Sequence, residues 1–179
     1  MKNVTIAAAI AASVLASPAM AQEKGDFSGV KATAIAGYDN IDLDIAGIDN
    51  VDGFLYGASL GYDIQSGNVV YGVELEATES TGNTTIAGGR VEAGRDLYAG
   101  GRLGFVVGDA ALLYAKAGYT NARLSSPGLG GDNGDGVRVG AGIEYLLSDN
   151  MFARGEYRYS NYEAGVSRNQ GLVSLGMKF

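Results

Sequence analysis

Residues 96–119 read DLYAGGRLGFVVGDAALLYAKAGY, and the run alternates by twos. Leu97, Ala99, Gly101, Leu103, Phe105 and Val107 share one face; Asp96, Tyr98, Gly100, Arg102 and Gly104 share the other. After Gly108-Asp109 the pattern resumes, with Leu113, Ala115, Ala117 and Tyr119 set against Tyr114, Lys116, Gly118 and Thr120. A period of two is the signature of a β-strand, because successive side chains leave the sheet on opposite sides. Two such runs joined by a short Gly/Asp turn predict an antiparallel hairpin. The constraint lies in the charges. Arg102 and Lys116 sit mid-strand among the glycines, while the other face is wholly apolar through the middle of both strands. We read the apolar face as meeting lipid and the charged face as lining the inside of a closed barrel.

The first 21 residues read as a secretory signal peptide. Lys2 gives a positive start, residues 4–15 are small and apolar, and Ala19-Met20-Ala21 fits the cleavage pattern, leaving Gln22 first in the mature chain. The apolar stretch is too short to span a membrane as a helix. Lys2 is the only charged residue of this segment, so the mature chain carries a net charge of −8 where the whole carries −7. The expected organisation is a signal peptide over residues 1–21 and one barrel domain over residues 22–179.

The mature chain then repeats one theme. Strands are expected over residues 26–39, 53–65, 69–78, the two of the hairpin above, 136–147, 151–160 and 169–179. Long polar stretches (residues 40–52, 79–89, 121–135 and 161–168) alternate with tight turns at Ser66-Gly67-Asn68, Gly108-Asp109 and Ser148-Asp149-Asn150. In every strand the inward face takes the charges: Lys31, Arg102, Lys116, Arg138, Arg154 and Arg158, with Asp63, Glu74, Glu76, Glu144 and Glu156. A lysine or arginine facing lipid at mid-bilayer costs roughly 2–4 kcal/mol, and a single choice of register avoids that in every strand. Aromatic residues gather at strand ends. Tyr38, Phe54, Tyr56, Tyr119 and Tyr159 lie toward the long connections, and Tyr62, Tyr71, Phe105, Tyr145 and Phe179 toward the tight turns. These are read as two interfacial girdles. The predicted fold is all-β: an eight-stranded antiparallel up-and-down transmembrane β-barrel. Its inversion, a soluble barrel with the apolar set inside, has the same periodicity.

The run RLGFVVGDAALLYAKAGY, the segment EYRYSNYEAG and the ending VSLGMKF are similar to the small outer-membrane β-barrel family, the OmpA-like group of Gram-negative surface proteins. The resemblance covers the mature chain. It implies residence in the cell outer membrane, among outer-membrane lipid and lipopolysaccharide. It also implies that the terminal aromatic, Phe179, is read by the barrel-assembly machinery. OmpA-type proteins often continue into a peptidoglycan-binding domain; the sequence ends at Phe179, and no peptidoglycan role is expected.

Chemistry is sparse. With no cysteine and no histidine, the chain lacks a disulfide framework, a thiolate metal site and the commonest general base. Outer-membrane lipid enzymes on similar barrels use a histidine. Asp42, Asp44, Asp49 and Asp52, and Asp132 with Asp135, lack the ligand spacing of calcium loops and read as solvated acidic stretches. The glycine-rich residues 128–136 lack the Gly-Lys-Ser/Thr ending of a phosphate loop. An acidic chain argues against nucleic acid. No catalytic, cofactor or metal residue is therefore assigned. The expected role is non-enzymatic, structural and surface-interacting through four outer loops, with an interior plugged by its own side chains, as a monomer with an unnamed loop partner. The alternative is a narrow porin-like channel for small ions or solutes, since eight strands leave an interior that side chains just fill.

Overall fold

The structure is a computed structural model, and it describes residues 25–42, 51–81, 83–86, 89–126, 130–162 and 166–179. The proposed signal peptide and cleavage site, and Asp44 and Asp49, lie outside the described residues. Nine strands are present among the described residues: β1 (Gly29–Asp42), β2 (Val51–Ser66), β3 (Val69–Ser80), β4 (Asn83–Ile86), β5 (Gly89–Val107), β6 (Ala111–Ser126), β7 (Gly130–Leu146), β8 (Met151–Tyr162) and β9 (Val166–Lys178). All pairings are antiparallel. Each wall strand pairs with its sequence neighbour, β3 pairs with β5, and β1 pairs with β9 from Lys31↔Lys178 to Asp42↔Ser167. The ring is therefore a closed barrel of eight wall strands, with β4 prolonging β3 along β5 beyond the wall. Closure leaves no sheet edge within lipid, where each unpaired backbone group would cost several kcal/mol.

The outer face carries large apolar side chains that nothing in the protein covers. Leu60, Val73, Leu75, Leu103, Val137 and Tyr157 are each at least 60% exposed. The lumen takes the polar set. This arrangement excludes the soluble inversion, whose apolar set would be inside. Tyr38, Phe54, Tyr56 and Tyr119 point outward toward one end, and Tyr62, Tyr71, Phe105 and Phe179 toward the other. The second end holds the tight turns and both ends of the described chain, and is called the turn end below; the other is the loop end.

Several boundaries differ from the sequence reading. β1 begins at Gly29, not residue 26, because residues 25–28 leave the wall. At the loop end the strands outrun expectation. β6 and β7 stay paired from Asn121↔Asp135 to Ser126↔Gly130, β5 starts at Gly89, and β4 lies inside the stretch read as residues 79–89. Backbone pairing continues there through stretches whose sequence carries no alternation of apolar and polar residues, so the period-two signal that marks a strand is missing.

Candidate functional site in the barrel lumen

The inward positions of eight strands project into one narrow space, and glycines make the room. At Gly72 on β3 an added Cβ would stand 2.1 Å from Asp63 Oδ1, and at Gly176 on β9 it would stand 2.2 Å from the Phe152 ring. Glycine on the charged face is thus what lets long side chains cross the lumen.

From the turn end upward, the first layer is hydrocarbon. Phe27, Val70, Val106, Leu112, Tyr114, Leu146 and Phe152 form one buried cluster. Above it, the ion pairs begin. Lys31 Nζ lies 2.7 Å from Asp63 Oδ2 and 2.5 Å from Glu144 Oε1. Arg102 donates to Asp63 through Nε (2.8 Å) and Nη2, and to Glu144 Oε2 through Nη1 (3.0 Å). Arg154 links Glu144 Oε2 (3.0 Å) to Glu74 Oε2 (2.6 Å). Lys116 Nζ contacts Glu74 Oε1 at 2.9 Å, Glu156 Oε1 at 2.8 Å, and Glu76. The Tyr114 hydroxyl donates to Glu156 Oε2 at 2.6 Å. Higher still, Arg158 pairs with Glu76 and donates from Nε to Gln170 Oε1 at 2.6 Å. Arg138 donates to Asp96 Oδ2 (2.5 Å) and to Ser160 Oγ (2.8 Å), and its Nη1 lies 3.6 Å from Glu76. Aromatic rings back the cations: Lys31 sits over Phe152 at 5.1 Å, Arg102 over Tyr114 at 5.0 Å and Lys116 over Tyr98 at 4.9 Å.

The structure therefore places Lys31, Asp63, Glu74, Glu76, Arg102, Lys116, Arg138, Glu144, Arg154, Glu156 and Arg158 inside the barrel, in one continuous network. Three further charges belong to it: Asp96, which the sequence put on the face of Arg102 without counting it among the lumen charges, and Asp39 and Arg168, which the sequence reading did not assign to the lumen. Arg168 pairs with Asp39, donating from Nε to Oδ1 at 3.2 Å and also from Nη2, and lies 3.2 Å from Asp96. Asp96 in turn accepts from Thr120 at 2.7 Å and from the Tyr162 hydroxyl at 2.9 Å. Shared parity would have found them, since Asp39 falls an even number of residues from Lys31, Asp96 from Arg102, and Arg168 from Gln170. With them, the buried charges number seven cations and seven carboxylates among the described residues. Neutrality matters physically, because an unpaired charge in a dry interior costs far more than a paired one.

The acidic cluster inside this network is already neutralised. Glu74, Glu76 and Glu156 place carboxylate oxygens within 4.8 Å of one another, as a metal site would, but the Lys116 ammonium touches all three. Outside the lumen, Asp52 accepts from Asn40 at 2.7 Å, and Asp135 accepts from Asn121 at 2.6 Å and from the Tyr119 hydroxyl. Each of these two carboxylates thus bonds to the strand beside its own.

Residues 7–179 match the family model described as "Outer membrane protein beta-barrel domain". The chain belongs to the outer membrane protein beta-barrel domain family. Among its relatives is a 22 kDa outer membrane protein of Rhizobium leguminosarum, 29% identical over 137 residues, covering 66% of this chain and 63% of that one. Another is a 25 kDa outer-membrane immunogenic protein of Brucella ovis, 32% identical over 133 residues, covering 72% of this chain and 65% of the relative. The match thus spans a little under two thirds of these relatives' own length. In fold the barrel is similar to Neisserial surface protein A, with a TM-score of 0.65 and 17% identity over 85% of this chain and 98% of that one. This outer-membrane barrel crosses the bilayer with strands, and its location is the cell outer membrane of a Gram-negative envelope.

Proposed function

We propose that the protein is a non-enzymatic structural and surface-interaction barrel, with its loop end outward, four loops meeting the environment and its lumen shut to diffusion. One observation carries this reading: a continuous ion-pair network stands above a hydrocarbon layer across the whole lumen. A solute on that path would have to break buried pairs, each costing several kcal/mol to open. The Brucella relative is named an outer-membrane immunogenic protein, which fits a barrel whose loops face outward. The partners on this reading are outer-membrane lipid and lipopolysaccharide around the belt and a still unnamed partner at the loops, with the barrel a monomer. The barrel-assembly machinery would read Phe179, which is 73% exposed on the lipid side. The Phe179 amide also donates to Val30 O at 2.9 Å, at the seam between β9 and β1.

A narrow channel is the second reading. The hydroxyls of Thr33, Ser59 and Thr78, on three adjacent strands, are buried without hydrogen-bond partners among the described residues, and a file of water would satisfy them. Conductance in a planar bilayer decides between the two. Silence is expected; steady unitary currents would overturn the closed lumen and favour the channel. Antibodies raised against the loops should bind intact cells, and failure to bind would overturn the outward orientation.

A further inference from the structure

The four residues before β1 do not hang free. At Gly29 the backbone takes φ +125°, a conformation that side chains disfavour, and an added Cβ would lie 2.5 Å from the Phe179 carbonyl oxygen. The chain turns there and runs under the barrel. Gly25 N donates to Asp109 O at 2.7 Å, in the turn between β5 and β6. In the ring of eight wall strands that turn lies opposite β1, so the segment spans the mouth. It is tied down on the way. Phe27 N donates to Gln65 Oε1 at 2.7 Å, Gln65 N donates to Ser28 Oγ at 3.1 Å, and Lys178 Nζ donates to Asp26 O. Phe27 itself is fully buried, packed into the hydrocarbon layer with Val106, Leu112 and Phe152, and Lys31 lies 5.6 Å from its ring.

We propose that residues 25–28 are a stopper, hinged at Gly29, that seats Phe27 in the turn-end mouth and keeps water and ions from the lumen beneath the ion-pair network. The closed-lumen reading concerns the whole barrel and would stand on the network alone. The stopper adds a specific door at one end. The strap is short and held by a few hydrogen bonds and one buried ring, so its release leaves the paired wall of the barrel intact.

The chain has no cysteine, so one introduced thiol reports alone. Val70→Cys places it in the hydrocarbon layer beside Phe27. The full chain carrying it, refolded in lipid vesicles, is exposed to a small charged thiosulfonate. Slow labelling is expected. Phe27→Ala should speed it roughly tenfold or more, the change in an opening equilibrium that loss of one buried aromatic ring brings. Deleting residues 25–28 should speed it further, and Phe27→Leu should stay near the parent rate. The heat-dependent gel shift of a closed barrel identifies the samples that folded, and Phe27→Ala keeps the test open should the deletion fail to fold. Fast labelling of the parent, or an unchanged rate in folded Phe27→Ala, would overturn the stopper. An unchanged rate together with a silent bilayer would leave the closed lumen standing on the network alone, so the two ideas fail separately.

Discussion

The lumen is closed by hydrocarbon at the turn end and by charge toward the loop end. At the turn end Phe27, Val70, Val106, Leu112, Leu146 and Phe152 fill the cross-section with volume. Toward the loop end the same cross-section is filled by Arg138, Arg158, Arg168, Asp39, Asp96 and Glu76, joined by hydroxyls and Gln170. The difference teaches what each kind of filling tolerates. A hydrocarbon layer asks for volume, and its members are judged one at a time. An ionic layer asks for a balanced set, because each member is tolerable only while its partners remain. The middle of the barrel, where Glu144 meets Lys31, Arg102 and Arg154, is where the ionic rule should be strictest.

The largest effect is therefore expected at Glu144. Glu144→Gln leaves three buried cations short of a carboxylate and should cost about 3–5 kcal/mol. Urea unfolding in lipid vesicles measures it. Adding Arg102→Gln restores the charge balance and should recover part of the loss. If Glu144→Gln costs no more than Asp109→Asn in an exposed turn, the ionic rule is wrong for this lumen.

Hydrocarbon comes next. Phe152 is fully buried, and Phe152→Ala should cost about 3 kcal/mol, the low end for a buried ring, since neighbours in the layer can close part of the space. Phe152→Leu should cost less than half as much. A single residue that restores volume should thus recover most of the loss at the turn end, where Arg102→Gln recovers only part of the loss at Glu144. The same urea series checks both, and equal losses for alanine and leucine would show that volume is not what Phe152 supplies.

The outer face supplies the control for both layers. Leu103 is 61% exposed on the lipid side, one residue from Arg102. Leu103→Arg should cost about 2–4 kcal/mol in a bilayer, and less in detergent, where the charge reaches water more easily. Indifference to Leu103→Arg in vesicles would mean that the outward face does not meet hydrocarbon.

How much of this was legible beforehand follows the same divide. Alternation located the wall strands and their facing wherever one side meets lipid and the other the lumen, as at Leu103 and Arg102, because there the two sides select opposite chemistries. It failed at both ends for physical reasons. Beyond the girdle at the loop end, strands such as Ala111–Ser126 and Gly130–Leu146 continue by backbone pairing through glycine-rich and polar sequence, and no pattern marks them. Asp39 and Asp96 stood at the ends of expected strands and Arg168 in a stretch read as a loop, so none was counted among the lumen charges although their parity matched that set. At the turn end Phe27 shared the inward parity of Lys31, and parity alone says nothing of a chain that turns away from the wall at Gly29. Glycines on the charged face were visible, but the room they make for crossing side chains shows only once the facing strands are in place.

The smallest effect is expected at the loop end, and it sharpens the comparison most. Asp39 keeps Gln170 Nε2 at 3.1 Å when Arg168 is removed. Asp96 keeps Arg138, Thr120 and Tyr162. Neither carboxylate is left bare, and water entering from the loops can satisfy what remains. Asp39→Asn and Arg168→Gln should each cost only about 1 kcal/mol, with a coupling between them of about 0.5–1.5 kcal/mol in a double-mutant cycle. Both values sit well below the Glu144 loss, although every one of these side chains is equally buried in the protein. If Asp39→Asn costs as much as Glu144→Gln, the loop end is as dry as the middle, and the ionic layer is one uniform block. If its cost is small but Glu144 remains severe, the network loosens gradually toward the loops, and the hydrocarbon layer with the dry pairs above it forms the tight section of the barrel.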